Sequence, residues 1–225
     1  MKRTKTLATA LLATALLGGL ASTSAHAAEN PEDSPSGEEK AFPIKYTGKS
    51  GETKFETVGR NAFDCKKSKT SGEYTGGRGG NIKYDFEECA ANGTNCNSSG
   101  DAAGIILVKG ELLLVYDDLS PLDLAVLTTI SPEVEILCGS LLKLKIKGTF
   151  LVLFTGITSG TAIEAAKLVL NQNAGKPEDK KYWENSVEHT PLLLTSINGG
   201  AFEESAIGSK EPEVSFAPRK VIFTF

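Results

Sequence analysis

Few residues in this 225-residue chain have side chains that could amount to a reactive site. His189, in "NSVEHTP", is the sole histidine besides His26, and Glu188 stands next to it. With a serine, such a pair would supply the base and orienting acid of an acyl-transfer triad. The chain has no G-x-S-x-G, and its Ser-Gly pairs, in "TSGTA" and "TSGEY", fall in turn-like contexts. His189 therefore reads as a solvated strand-end residue. Asp117 and Asp118, in "YDDLSP", are adjacent carboxylates that Glu111 or Asp123 could complement. Glycoside hydrolysis uses two carboxyl groups across the scissile bond. The Asp-rich composition gives the simpler reading, a turn whose side chains bond local backbone amides. These acids form neither a D-x-D-x-D-G pattern nor a nonapeptide repeat that would indicate calcium. Gly76-Gly77-Arg78-Gly79-Gly80 is glycine-rich like a phosphate cradle, but it lacks G-K-[ST] and a following helix. A flexible hairpin tip is expected there. Tyr182-Trp183, flanked by Lys180, Lys181 and Glu184, is the densest aromatic pair and the one candidate ligand contact, since aromatics on a sheet can stack on sugar rings. No residue is assigned to catalysis, to a metal or to a cofactor.

The N-terminus bears on compartment. "MKRTK", the apolar "TLATALLATALLGGLA" and the small-residue end Ala25-His26-Ala27 have the order of a secretory signal peptide, with the mature chain starting at Ala28. No cysteine follows the apolar run as a lipid attachment site. Later runs are too short or too charged to span a bilayer; "LLKLKIKGTFLVLF" is interrupted by Lys143, Lys145 and Lys147. Removing residues 1 to 27 takes Lys2, Arg3 and Lys5 and no acid, leaving 21 basic against 28 acidic residues, a net charge of −7. That balance disfavours nucleic acid and anionic membrane as partners. A cell-surface glycan or a protein remains open.

In an exported chain, Cys65, Cys89, Cys96 and Cys138 read as two disulfides. Zinc would want short C-x2-4-C pairs with histidine, and a redox switch C-x-x-C; neither is present. Cys89 and Cys96 flank the Asn-Gly of "CAANGTNC", which predicts that they bond across a tight hairpin and leaves Cys65 to Cys138.

These residues must be positioned mostly by strands. Residues 28 to 41, "AENPEDSPSGEEKA", hold five acids and two prolines and are expected to be a disordered arm. Residues 42 to 225 form a single domain. Turn clusters recur at short intervals along it, among them "TGKSGE", "ISPE", "NAGKPEDK", "INGG" and "GSKEPE", separated by runs rich in β-branched and aromatic residues. Ile82 to Phe86 and Leu142 to Lys147 alternate apolar with polar, as half-solvated antiparallel strands do. "GIILVK" and "ELLLVYDD", joined at Lys109-Gly110, predict a hairpin. Helix signals at residues 161 to 170 compete with β-like neighbours, and a strand from Ala165 to Gln172 is preferred. The expected fold is all-β, an antiparallel sandwich or distorted barrel. The sequons at Asn92 and Asn97 lie in a segment expected to be exposed.

Several segments resemble an abundant family of secreted, β-rich, four-cysteine proteins of soil actinobacteria. They are "GETKFETVGRNAFDCKKSKTSGEYTG", "YDFEEC" with Cys96, "KGELLLVYDDLSPLDLAVLTTISPEVEILCGSLLKLKIKGTF" and "LNQNAGKPEDKKYWENSVEHTPLLLTSINGGAFEESAI". The resemblance covers roughly residues 42 to 216. It implies export and a mostly β fold, and it carries over no catalytic or binding residue. In this setting Glu56-Thr57 and the glycines at 51, 72 and 76 look like fold determinants, the glycines as turns. The expected role is a non-catalytic secreted or cell-envelope protein; a carboxylate-dependent hydrolase is the alternative.

Overall fold

The computed structural model describes residues 30 to 36 and 42 to 225. The expected leader, and the arm apart from residues 30 to 36, lie outside the described residues.

Four long strands carry the architecture: β4 (Ala62–Tyr74), β5 (Gly79–Ala91), β8 (Leu122–Cys138) and β9 (Leu142–Thr155). Each of the remaining four positions around the ring is shared by two strands, placed one beyond the other along their neighbours. Between β5 and β8 lie β6 (Thr94–Ser98) and β7 (Ile105–Leu119). Beside β4 run β2 (Ile44–Ser50) and β3 (Thr53–Thr57). Beside β9 run β11 (Ala165–Val169) and β16 (Leu193–Ile197). The last position holds β17 (Phe202–Ser209), which joins β16 to β3, and β18 (Glu213–Ser215), which joins β11 to β2. The pairing returns to its start at both levels, all of it antiparallel. This is a closed barrel with eight strand positions, which resolves the expected choice between sandwich and barrel.

Alternation along the strands sorts the residues. On β9, Leu144, Ile146, Phe150, Val152 and Phe154 are buried inside, and Lys143 and Lys145 face out to pair with Glu135 and Glu133. Apolar inside and charged outside is the reverse of a membrane-spanning barrel. Among the described residues, no helix is long and apolar enough to cross a membrane.

The interior has two halves. The lower core gathers Phe55, Phe63, Phe86, Ile136 and all four cysteines. The upper core gathers Tyr46, Tyr74, Leu114, Phe154, Phe216 and Phe223. Its end is closed by a small sheet of β1 (Glu32–Ser36), β19 (Lys220–Thr224) and β10 (Ala162–Ile163), from which Val221 and Phe223 enter the core. Part of the expected disordered arm is thus an edge strand. Composition argued from side chains alone; the backbone of Glu32–Ser36 instead completes the exposed edge of β19.

Between β11 and β16 the chain makes an excursion of two small hairpins, β12 (Gln172–Asn173) with β13 (Lys176–Pro177) and β14 (Tyr182–Glu184) with β15 (Val187–His189). The second docks on the outside of the barrel, with Trp183 paired to Tyr116. It shields the outward-facing Val115, Ala125, Leu127 and Leu151, against which Tyr182 packs.

The disulfide pairing corrects the expectation: the bonds are Cys65–Cys89 and Cys96–Cys138. The expected hairpin does exist. Ala91 pairs with Thr94 and Ala90 with Asn95 around an Asn92-Gly93 turn in which both residues have positive φ. That register continues to Cys89 opposite Cys96, so the four cysteines form one row across β4, β5, β6 and β8. Each inner cysteine therefore has a cysteine on both sides and bonds the outer one, Cys65 or Cys138. Spacing within the hairpin could not register those outer neighbours.

Two glycine assignments also change. Lys109-Gly110 is no turn, because Ile105–Leu119 is one uninterrupted strand; a Cβ on Gly110 would strike the Thr129 carbonyl of β8. Gly72 lies within β4, where a Cβ would strike the Tyr46 side chain. Both glycines permit close approach rather than chain reversal. "ISPE" is likewise internal, forming the register shift of β8 between Ile130 and Val134. Residues 161 to 170 hold no helix; the expected strand is β11.

Candidate functional site

Two places concentrate polar or ligand-sized features: a corner outside the barrel, where acids meet aromatics, and a cavity inside it.

The corner lies at the β7–β8 tip. Asp117 lies near the end of β7, Asp123 near the start of β8, and Asp179 comes from the excursion. Burial, and then the neighbouring charges of Asp179, Asp123 and Asp118, push the Asp117 carboxyl up to about 6, against the pull of Lys181. Burial followed by Glu178 raises Asp179 as well. Asp118 plays the part expected from turn composition, accepting hydrogen bonds from the amides of Leu119 and Ser120 at 2.7 and 3.1 Å. Glu111 faces Thr129 farther along β7 and does not join the group. Asp179 was missed because it is remote in sequence; "KPEDKKYW" held the acid, but only the fold brings it to Asp117.

Tyr182 and Trp183 stand beside this group, both half-buried. The Tyr182 ring stacks on His189 at 5.2 Å between centroids, while its edge packs on the outer apolar cluster. The Lys181 ammonium lies 5.5 Å from the Trp183 ring centroid. Trp183 Nε1 is buried with no hydrogen-bond partner. Part of each ring surface is therefore already engaged in holding the excursion to the barrel. Glu188 pairs with Lys181 at 3.4 Å and lies across from Trp183, so it does not orient His189 as a triad acid would. Gly76 to Arg78 of "GGRGG" form the β4–β5 turn as expected, while Gly79 and Gly80 already begin β5; Arg78 reaches Glu184 at 3.2 Å, a second tie between barrel and excursion. Asn92 is exposed at its turn, whereas the Asn97 side-chain amide donates to the carbonyls of Ser98 and Asp101.

The excursion is anchored at its other end by Glu56. That carboxylate is 5 % exposed and meets Lys54 at 2.9 Å, Arg60 at 3.4 Å and the Gln172 amide at 3.4 Å. Its hydrogen bond from Lys54, against the cost of burial, holds its carboxyl below the ordinary range. Gly175, at φ 78°, rests on the Thr57 backbone where a Cβ would clash. Glu56-Thr57 and "LNQNAGKPE", distant in sequence, thus form one joint.

Inside the barrel, between the two cores, lies a cavity of about 70 Å³ lined chiefly by rings and aliphatic chains, including Tyr84, Phe86, Phe150, Val152 and Leu168. A second void of about 30 Å³ shares Tyr84, Phe86 and Phe150 with it and extends into the lower core. The Tyr84 hydroxyl lies 3.3 Å from Thr128 Oγ1, and burial pushes its phenol up to about 12. On one side the wall carries four hydroxyls: Ser50 is 2.7 Å from both Ser68 and Ser209, and Thr53 is 2.8 Å from Ser209. They cluster where β2 gives way to β3 and β17 to β18. Outside this wall is a broad cleft, about 850 Å³, rimmed by Glu52, Lys54, Lys66, Glu88 and Lys210. Thr53, Leu170 and Ser209 line both cavity and cleft, so the wall between them is one side chain thick. Two of the cleft acids are ion-paired, Glu52 with Lys210 and Glu88 with Lys66 and Lys67, and those partners lower both carboxyls.

Among the described residues, no group of three or more His, Cys, Asp or Glu side chains is placed to hold a metal ion. Comparison of the chain with protein-family models, curated proteins and solved structures finds no match.

Proposed function

We propose that this chain is a non-catalytic secreted or cell-envelope binding protein, built as a disulfide-stapled barrel. The observation that carries the reading is the apolar cavity separated from the broad cleft by a single layer of side chains. Closed barrels of this strand number have room for side chains and at most one small ligand. Glu52 and Glu88 in the cleft support it too, because groups held ionised by lysines are poor general acids. Two buried disulfides are consistent with an oxidising compartment, in line with the leader-like N-terminus and the resemblance to secreted actinobacterial proteins. Native mass spectrometry of protein recovered from an exporting host tests the reading. A stoichiometric small-molecule adduct, lost on denaturation, is expected; turnover of a glycoside panel would overturn it.

The hydrolase reading keeps one specific observation, the Asp117 carboxyl near 6 beside Asp123 and Asp179. It requires glycoside cleavage that Asp117→Asn abolishes.

A further inference from the structure

We propose that the cysteine row is a redox-sensitive switch, in which a freed thiol moves the remaining disulfide to the centre of the row, between Cys89 and Cys96. The inference is independent of the binding-protein reading, because it concerns the barrel's own staples. Its basis is register. Cys65 lies opposite Cys89, and Cys96 lies opposite Cys138. The Ala91–Thr94 and Ala90–Asn95 pairs of the hairpin between them extend by one step to Cys89 opposite Cys96. All four side chains enter the lower core, the inner two 0 % exposed and the outer two 1 % and 3 %. Each cysteine therefore stands beside the next on one face of the sheet, at the spacing of cross-strand neighbours.

Thiol–disulfide exchange proceeds by attack of a thiolate on a disulfide sulfur, along the axis of the bond that breaks. A row running across four strands puts each inner cysteine near the axis of the neighbouring bond. In the oxidised chain no thiol is free, so both bonds stay in place. An external dithiol that reduces Cys65–Cys89 leaves as its own disulfide and delivers two thiols to the row. Cys89, once deprotonated, then bonds the Cys96 sulfur. The Cys96–Cys138 bond breaks, and Cys138 departs as a thiolate that takes up the proton Cys89 released. This second step consumes no oxidant. Reduction of Cys96–Cys138 works in mirror image, with Cys96 attacking Cys89 and releasing Cys65. Both routes end in one species, bonded at Cys89–Cys96 with the two outer cysteines as thiols. Its bond closes only the short hairpin loop around Asn92-Gly93, whereas the native bonds close 24 and 42 residues. The shorter loop constrains the unfolded chain least, so a single reduction withdraws most of what two staples supply.

Cys65→Ser tests the switch, because it leaves Cys89 free beside an intact Cys96–Cys138 bond. The oxidised variant is incubated at mildly alkaline pH, quenched with acid, alkylated and mapped without reductant. Label is expected on both Cys89 and Cys138, each with about a tenth of the total or more, since either bond joins cross-strand neighbours. The approach to that distribution should quicken as pH rises, because only the thiolate attacks. Cys89→Ser is the control. It keeps Cys96–Cys138 but leaves its free thiol on Cys65, two places away along the row, so label should stay on Cys65. Label confined to Cys89 in the first variant, or shared between Cys65 and Cys138 in the second, overturns the switch. Should Cys65→Ser fail to fold, the native chain treated with limiting dithiothreitol answers the same question. Its one-disulfide molecules should include Cys89–Cys96, with label on Cys65 and Cys138; one-disulfide molecules holding only the native bonds overturn the proposal.

Discussion

The two halves of the barrel are held by different means. The lower half is joined covalently, with four cysteines in one row fixing β4 to β5 and β6 to β8. The upper half has no such bond; its core is closed by rings from the chain's last strands. Phe223 packs on Phe154, Phe216 and Tyr74 at centroid separations of 5.0, 5.9 and 6.3 Å. The disulfides act chiefly by constraining the unfolded chain, the rings by contacts made only in the folded one. The cavity lies where these two regimes meet. A barrel fixed at one end and plugged at the other leaves its middle as the place where packing is least complete.

The largest expected effect breaks the covalent half. The loops closed by Cys65–Cys89 and Cys96–Cys138 span 24 and 42 residues. Removing them by paired alanine substitution should cost about 3.5 and about 4 kcal/mol from loop entropy, with a cavity cost added. Urea unfolding should show the greater loss for Cys96→Ala with Cys138→Ala. A non-reducing peptide map should link Cys65 to Cys89; a Cys89 to Cys96 link would refute the row as drawn.

The upper half should respond to a single truncation. Phe223 is 1 % exposed, and Phe223→Ala should destabilise by about 3 to 4 kcal/mol. Because the plug is remote from the cysteines, its cost should add to that of either double mutant. Strong non-additivity in urea midpoints would show that the two halves share more than their long strands.

What the sequence revealed follows the range over which each signal acts. Period-two alternation is local, and it located the strands around Ile82 and Leu144; the β character of residues 165 to 169 came from their β-like neighbours, a signal of the same short range. The Asn92-Gly93 turn was legible for the same reason. The disulfide pairing, the close-approach glycines and the Glu56–Gln172 joint each depend on which strand lies alongside, and that information is not local. Gly110 illustrates the difference. In sequence it resembles a turn, and only the Thr129 carbonyl opposite explains why a side chain is excluded. At the corner, Asp117 and Trp183 were visible as types, but their proximity depends on the docked excursion. The cavity had no signature, since its lining residues look like ordinary core.

A smaller effect sharpens the contrast by charge. An unfolded Asp117 would titrate at its ordinary value near 3.8, and in the folded chain it titrates at about 6. Between those values the folded state holds more proton, so stability should fall as pH rises from about 4 to about 6 and then level off. With solvent screening at this half-buried site, the whole change should not exceed about 2 kcal/mol. Asp117→Asn should flatten that slope and raise the melting temperature at neutral pH. Melts of both proteins across this range check it; parallel curves would mean that the corner acids do not oppose one another.

The smallest effect probes the outermost layer of the plug. β1 runs antiparallel to β19 from Glu32 opposite Thr224 to Ser36 opposite Lys220. Beside it, Asn30 binds the β14–β15 turn, its side-chain oxygen accepting from the Asn185 amide at 2.8 Å. Deleting residues 28 to 41 removes these bonds, but it also spares the ordering entropy of an acidic segment, so the net cost should be about 1 kcal/mol. The loss should appear where β1 lies. Hydrogen exchange at the amides of Val221 to Phe223 should accelerate on truncation, while amides of β4 and β5 around the Cys65–Cys89 bond keep their protection. Uniform acceleration in both halves would show that the arm supports the whole barrel. Unchanged exchange in β19 would show that the arm spends its time elsewhere.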